Sequence, residues 1–156
     1  FSSWTGFVRE RAISVRFIEL MRTGDNKAFF DAQHVSGQVL RRWLEANGWT
    51  PADRGADDGP AVEFSHPDYV GRIGLIAPYA PGFCDGCNRL HVTARGQLRL
   101  CLFGQGGRPL RDLLCTDDQS GLLKDRILDA LAFKPAAHGL HNSDPGDIRN
   151  LAQMGG

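Results

Sequence analysis

Residues 83–104 read FCDGCNRLHVTARGQLRLCLFG and set Cys84, Cys87 and Cys101 in a C-x2-C-x13-C array. Two thiols with two residues between them can face one centre, and the third must return from a distance. A hairpin is the shortest return. Residues 88–93 alternate polar and apolar, with Leu90 and Val92 on one face and Arg89, His91 and Thr93 on the other, the period of a half-buried strand. Residues 97–103 read as its partner. A three-residue loop of Ala94, Arg95 and left-handed Gly96 sets Thr93 opposite Gln97 and Arg89 opposite Cys101. That register brings a thiolate, a guanidinium and an imidazole to one face, whereas a two-residue loop would turn Cys101 to the other. The three-residue loop is the expectation.

Three thiolates so arranged bind a soft metal centre, either zinc or an iron–sulfur cluster, and spacing alone leaves both open. A closed zinc site needs a fourth protein ligand. Cys115 would extend the array to C-x2-C-x13-C-x13-C, but it lies in PLRDLLC, which reads as a short helix with Leu110, Leu113 and Leu114 inward. A lone cysteine there is a small hydrophobe. His66 sits eighteen residues ahead of Cys84, at what reads as a strand end, and is a poor fourth ligand. Three ligands on a four-iron cluster leave one iron open to a substrate atom, and the neighbouring Arg89 suits an anionic substrate.

Composition narrows the classes. A chain of 156 residues, 42% hydrophobic, can bury a core, and its 18 basic residues balance its 18 acidic ones. No net field points to nucleic acid or membrane, so any anion site is local. No apolar run approaches the roughly 18 residues of a membrane span, and the first residues resemble neither a signal nor a transit peptide. Cysteines at metal spacing fit a reducing cytoplasm better than a disulfide framework. Beginning at Phe1, the chain reads as truncated.

Along the chain, residues 1–11 carry Trp4, Phe7 and Val8 at helical spacing, with Ser2 or Ser3 available as a cap. Residues 13–21, ISVRFIELM, suit a strand covered on both faces, with Arg16 and Glu19 needing partners or ligands. Thr23, Gly24, Asp25 and Asn26 form a turn-rich loop. Ser36 can cap a helix reaching about residue 47, with Val39, Leu40, Trp43 and Leu44 on one face. Residues 51–60 read as an exposed loop, and residues 61–65 and 72–77 as strands leading through Pro78 and Pro81 to Cys84. Pro109 fits the first turn of the short helix, and a longer core helix runs from about Asp118 to Pro135. By composition alone, residues 134–156 read as a loose tail.

The cysteine segment, together with VRFIELMRTGDN upstream and the terminal MGG, resembles the later part of the radical S-adenosylmethionine GTP cyclases of molybdenum cofactor biosynthesis, the MoaA family. The likeness runs over residues 13–156. It implies an α/β fold: the C-terminal part of an incomplete TIM-like barrel (residues 1–33), an antiparallel sheet domain carrying an auxiliary [4Fe-4S] cluster (34–133), and a tail (134–156). By resemblance, Cys84, Cys87 and Cys101 hold that cluster, whose open iron meets the guanine of GTP. Arg16, Arg89, Leu90 and His91 contact GTP, Met21 contacts S-adenosylmethionine, and Gly155 and Gly156 thread back to the barrel's active site, where a side chain would not fit. The 23–26 loop lies near the active-site rim in the family.

The resemblance also implies a lyase in the full-length protein, converting GTP to the cyclic pyranopterin precursor of molybdopterin. The radical itself comes from a second [4Fe-4S] cluster on a C-x3-C-x2-C loop, and this sequence contains no such loop, so the chain by itself is expected to be inactive. Partners expected are GTP, the N-terminal half of the barrel and, through the product, a MoaC-type pterin-forming enzyme. The resemblance leaves a homodimer open. One departure stands out: the family's N-R-L-R after the second cysteine is N-R-L-H here, with His91 in the last place. Histidine cannot reproduce an arginine fork, and its ordinary pKa of about 6.5 would make nucleotide binding tighten below that pH. The rival readings are a non-catalytic zinc-stapled module and the auxiliary-cluster domain of another radical enzyme.

Overall fold

The computed structural model describes residues 1–53, 55 and 58–154, residues 153 and 154 by their backbone alone. The expectation for Gly155 and Gly156 lies outside the described residues. The chain divides into two compact units, Phe1–Met21 with Ala32–Gly86, and Arg22–Asp31 with the residues from Cys87 onward.

In the first unit a helix, Ser2–Val8 (α1), precedes a strand, Ser14–Ile18 (β1). The next helix, Lys27–Gln33 (α2), has no buried residues and belongs for most of its length to the second unit, and Gly37–Ala46 (α3) follows in the first. Ser36 caps α3 as expected, its hydroxyl accepting from the Gln38 N–H at 3.3 Å, a contact worth about 1 kcal/mol. Three strands follow: Thr50–Pro51 (β2), Val62–Ser65 (β3) and Arg72–Ile76 (β4). The sheet order is β1-β4-β3-β2, with β1 parallel to β4 and the other pairs antiparallel. Leu40 and Leu44 of α3 pack with Val8, Trp49, Phe64, Ile73 and Leu75, and Val15 and Phe17 of β1 join that core from their side of the strand.

Here β1 departs from expectation. It is an edge strand whose residues alternate between exposed and half-buried, so it is not covered on both faces among the described residues. An apolar run reads alike for a central strand and for an edge strand with one open face. Ile18 is 60% exposed, and Phe1, Trp4, Phe7 and Ile13 of the same unit are exposed apolar residues as well. Such an edge favours association. Light scattering of the isolated chain is expected to show self-association that grows with concentration, and a monodisperse monomer throughout would contradict this.

The second unit is built on the cysteine hairpin. Strands His91–Val92 (β5) and Gln97–Arg99 (β6) pair antiparallel, and Arg108–Pro109 (β7) adds to β6. Pro109 is therefore a strand residue on the sheet's outer edge, where its missing N–H costs no ladder bond, and not the first turn of a helix. The expected short helix shrinks to a single 3₁₀ turn, Arg111–Leu113, with Leu110 and Leu113 buried but Leu114 exposed, because three residues cannot turn a third leucine inward. A helix, Ser120–Leu131 (α4), presses Ala130, Leu123 and Ile127 onto Leu90, Leu98, Leu100 and Leu110. The segment after α4 is anchored, contrary to its composition: Leu140 and Ile148 are buried, and the N–H groups of Gly24 and Asp25 donate to the carbonyls of Ile148 and Arg149 at 2.9 and 3.0 Å. Among the described residues, no helix is long and apolar enough to cross a membrane.

Candidate metal centre and anion site

The hairpin has the predicted register. His91 pairs with Arg99 and Val92 with Leu98. The Thr93 N–H donates to the Gln97 carbonyl at 3.0 Å, and Gly96 closes the three-residue loop at φ 71°. A left-handed loop residue is a glycine position, which is why this loop length was legible. Strand pairing ends at His91 and Arg99, short of the predicted meeting of Arg89 with Cys101. On the predicted apolar face Leu90 is half-buried but Val92 is 53% exposed, although its cross-strand partner Leu98 is buried in the α4 cluster, so the covered part of that face lies over β6.

No cysteine is in a disulfide; Cys84, Cys87 and Cys101 are half-buried, while Cys115 is exposed with its thiol 3.5 Å from the Arg111 carbonyl. The exposure of Cys115 corrects the expectation of a buried small hydrophobe, and it follows from the chain leaving the 3₁₀ turn at Leu114. Cys84 belongs to the first unit, in a run of turns, and Cys87 and Cys101 belong to the second. Among the described residues, no three His, Cys, Asp or Glu side chains are gathered into a metal site. What fits an iron–sulfur group here is donor chemistry: soft thiols at ligand spacing, with Arg89 Nε buried and lacking a hydrogen-bond partner among the described residues. Within the second unit a cavity of about 390 Å³ opens against Cys101, between Gly104, Gly107, Arg108 and Phe133. That size is within the range of small-molecule sites.

Positive charge gathers around His91. Burial lowers its pKa from the ordinary 6.5, and the charges of Arg89, Lys134 and Arg99 lower it further. The imidazole here thus holds its proton less readily than an ordinary histidine, and the acid-side gain in anion binding predicted from an unperturbed histidine moves to lower pH. Folding stability carries the same sign. Above about pH 6.5 His91 is neutral in both states; below it the unfolded chain takes up the proton first, so this group makes stability fall with pH until the folded-state pKa is passed.

Sequence reasoning missed Lys134, Arg99 and Asp147. The register already set Arg99 opposite His91, which was a usable signal; nothing local marked the other two. The Lys134 ammonium donates to the carbonyls of Arg89 and Leu100, at 2.9 and 2.5 Å. Arg99 Nη2 donates to the Gly104 carbonyl at 2.7 Å and to the Asp147 carboxylate. Asp147 also accepts from the Gly106 N–H at 2.8 Å. The hydrogen bond from Arg99 holds the Asp147 carboxyl below the usual carboxylate range.

In the first unit, Arg16 does not pair with Glu19. Its Nε donates to Glu63 at 3.0 Å, reaching across Gly74 of the strand between them, while Ser14 donates to the other Glu63 oxygen at 2.6 Å. The Arg16 side chain remains 58% exposed on that open face. Glu19 is buried and lies 2.9 Å from His34 Nε2. His66 packs against the rings of Trp49 and Tyr69, which also touch each other, and its Nδ1 accepts from the Asp68 N–H at 3.1 Å, a packing role. Met21 is half-buried where the first unit's opening segment ends.

The family described as Molybdenum Cofactor Synthesis C matches residues 13–140. A GTP 3',8-cyclase of Stenotrophomonas maltophilia (strain R551-3) is 54% identical over 153 residues, 98% of this chain and 47% of the relative. The GTP 3',8-cyclase of Actinobacillus succinogenes is 53% identical over 156 residues, 100% of this chain and 46% of the relative. That of Synechococcus elongatus is 51% identical over 156 residues, 99% and 47%. The chain thus spans about half the length of the curated relatives it matches.

Proposed function

The chain belongs to the Molybdenum Cofactor Synthesis C family, and from that premise we propose that it is the substrate-binding, auxiliary-cluster part of a GTP 3',8-cyclase. Cys84, Cys87 and Cys101 are its cluster ligands. The observation that carries this reading is the C-x2-C-x13-C array set on a three-residue-loop hairpin whose neighbouring face gathers Arg89, His91, Arg99 and Lys134. Residues 1–33 contribute the end of the barrel, 34–133 the cluster-bearing domain, and 134–156 the returning tail.

When bound, a [4Fe-4S] cluster with three thiolate ligands supplies a Lewis-acidic iron open to a ring nitrogen or oxygen of the base. The chain's own residues do the rest of the binding. Arg89 and Arg16 donate to anionic or carbonyl oxygens of GTP, Leu90 packs beside it, and His91 donates a ring N–H. Met21 meets S-adenosylmethionine. Radical generation belongs to a cluster loop that this sequence does not contain, so the chain by itself binds GTP without turning it over.

The test is GTP affinity of the cluster-loaded chain. Arg89→Ala is expected to weaken it about tenfold or more, the worth of a charged hydrogen bond. The affinity of the unaltered chain is expected to stay low at pH 7 and to rise as pH falls below 6.5 toward the lowered His91 pKa. His91→Arg should raise the neutral-pH affinity and flatten the profile. A profile equally flat with either residue would mean that His91 does not meet the nucleotide.

A further inference from the structure

The hairpin's ladder ends at His91 and Arg99, yet the residues that matter for metal binding lie beyond that last rung. One group bridges the gap. Lys134 Nζ donates at 2.9 Å to the carbonyl of Arg89, two residues after Cys87, and at 2.5 Å to the carbonyl of Leu100, the residue before Cys101. Lys134 is itself held by the end of α4, its N–H donating to the Leu131 carbonyl at 3.0 Å, while Ala130 is fully buried among Leu98, Leu90 and Leu100. The ammonium therefore stands at a fixed place relative to the hairpin.

We propose that Lys134 is a positioning residue that braces the Cys87 arm against the Cys101 arm by bonding the Arg89 and Leu100 carbonyls, and so sets the spacing of two cluster ligands. The proposal rests on the three-cysteine reading above. Lysine suits the task. Its three donors are arranged tetrahedrally, so one nitrogen can serve carbonyls on two diverging chains, whereas a planar guanidinium serves partners in one plane. Bonds from an ionised donor are also stronger than neutral ones, and a half-buried ammonium without them would be costly. Exchanging either carbonyl for water would let the arms move apart.

The test compares the unaltered chain with Lys134→Met, which keeps length and removes the donors, and Lys134→Arg, which keeps the charge. Amide hydrogen exchange of the metal-free proteins is the first readout, and iron bound after anaerobic reconstitution the second. Lys134→Met is expected to speed exchange at the last rung, His91 and Arg99, about tenfold or more, leaving Ile127 in α4 and the first unit's sheet unchanged, and to cut bound iron to less than about half. Lys134→Arg should fall between the two in both readouts. Exchange and iron content like the unaltered chain would overturn the proposal, as would faster exchange with full iron uptake. Uniformly faster exchange through the second unit, α4 included, would mean general support only and would also overturn it. Should Lys134→Met fail to fold, protection of the last rung in Lys134→Arg equal to that of the unaltered chain would overturn it instead. If the unaltered chain takes up no iron, the three-cysteine reading fails separately, and amide exchange still decides whether Lys134 braces the arms.

Discussion

Replacing Cys84, Cys87 or Cys101 singly with alanine is expected to bring iron bound after anaerobic reconstitution to background, and replacing Cys115 is expected to leave it unchanged. A cluster held by three thiolates has no spare protein ligand, so each removal leaves two, too few to hold the centre against solvent. Cys115 differs in position as well as in sequence. It is exposed and follows a 3₁₀ turn, with its thiol directed at the Arg111 carbonyl. The readout is iron and sulfide per chain for the four variants. If Cys115→Ala lost iron as completely as Cys101→Ala, a four-thiolate site would replace the three-ligand account.

Gly146→Ala is expected to destabilise the second unit by roughly 2–5 kcal/mol, combining left-handed strain with overpacking. Gly146 has φ 67°, and a Cβ there would lie 2.4 Å from the Gly104 carbonyl oxygen and 2.6 Å from that of Phe103. Both contacts are with backbone, so neither can be relieved by a rotamer change. The chain would have to lift, taking with it Asp147, which binds Arg99 and Gly106, and Ile148, which is buried and pairs with Gly24. Urea unfolding followed by far-ultraviolet circular dichroism measures the loss. A change within about 0.5 kcal/mol, the ordinary range for a surface substitution, would mean that this segment does not depend on the close approach.

The same residues show what was and was not legible in the sequence. The hairpin register could be read because one residue, Gly96, fixes the loop type and the loop fixes every pairing after it. Helix α3 could be read because Ser36 and the leucine spacing are local signals. The anchoring of residues 144–150 could not, since Gly146 and Ile148 act through partners more than forty residues away in sequence, and composition carries no trace of them. Lys134 was hidden for the same reason: a lysine just past a helix usually faces water, and only the tertiary fold shows it between two carbonyls. The partner of Arg16 was not legible, because the nearest acid in sequence, Glu19, points to His34, while Glu63 reaches Arg16 only through sheet register. Residues expected to act on substrate carry a motif, and Lys134, Arg99 and Asp147 around them do not.

The measurement closest to the central claim is metal identity. The chain is reconstituted anaerobically with iron and sulfide, with zinc supplied in competition, and analysed for all three together with its absorption near 400 nm. A three-thiolate auxiliary cluster predicts about four iron and about four sulfide per chain, a broad band in that region and no bound zinc. Zinc bound at about one per chain, without labile sulfide, would contradict it and make the cysteine hairpin a structural zinc site.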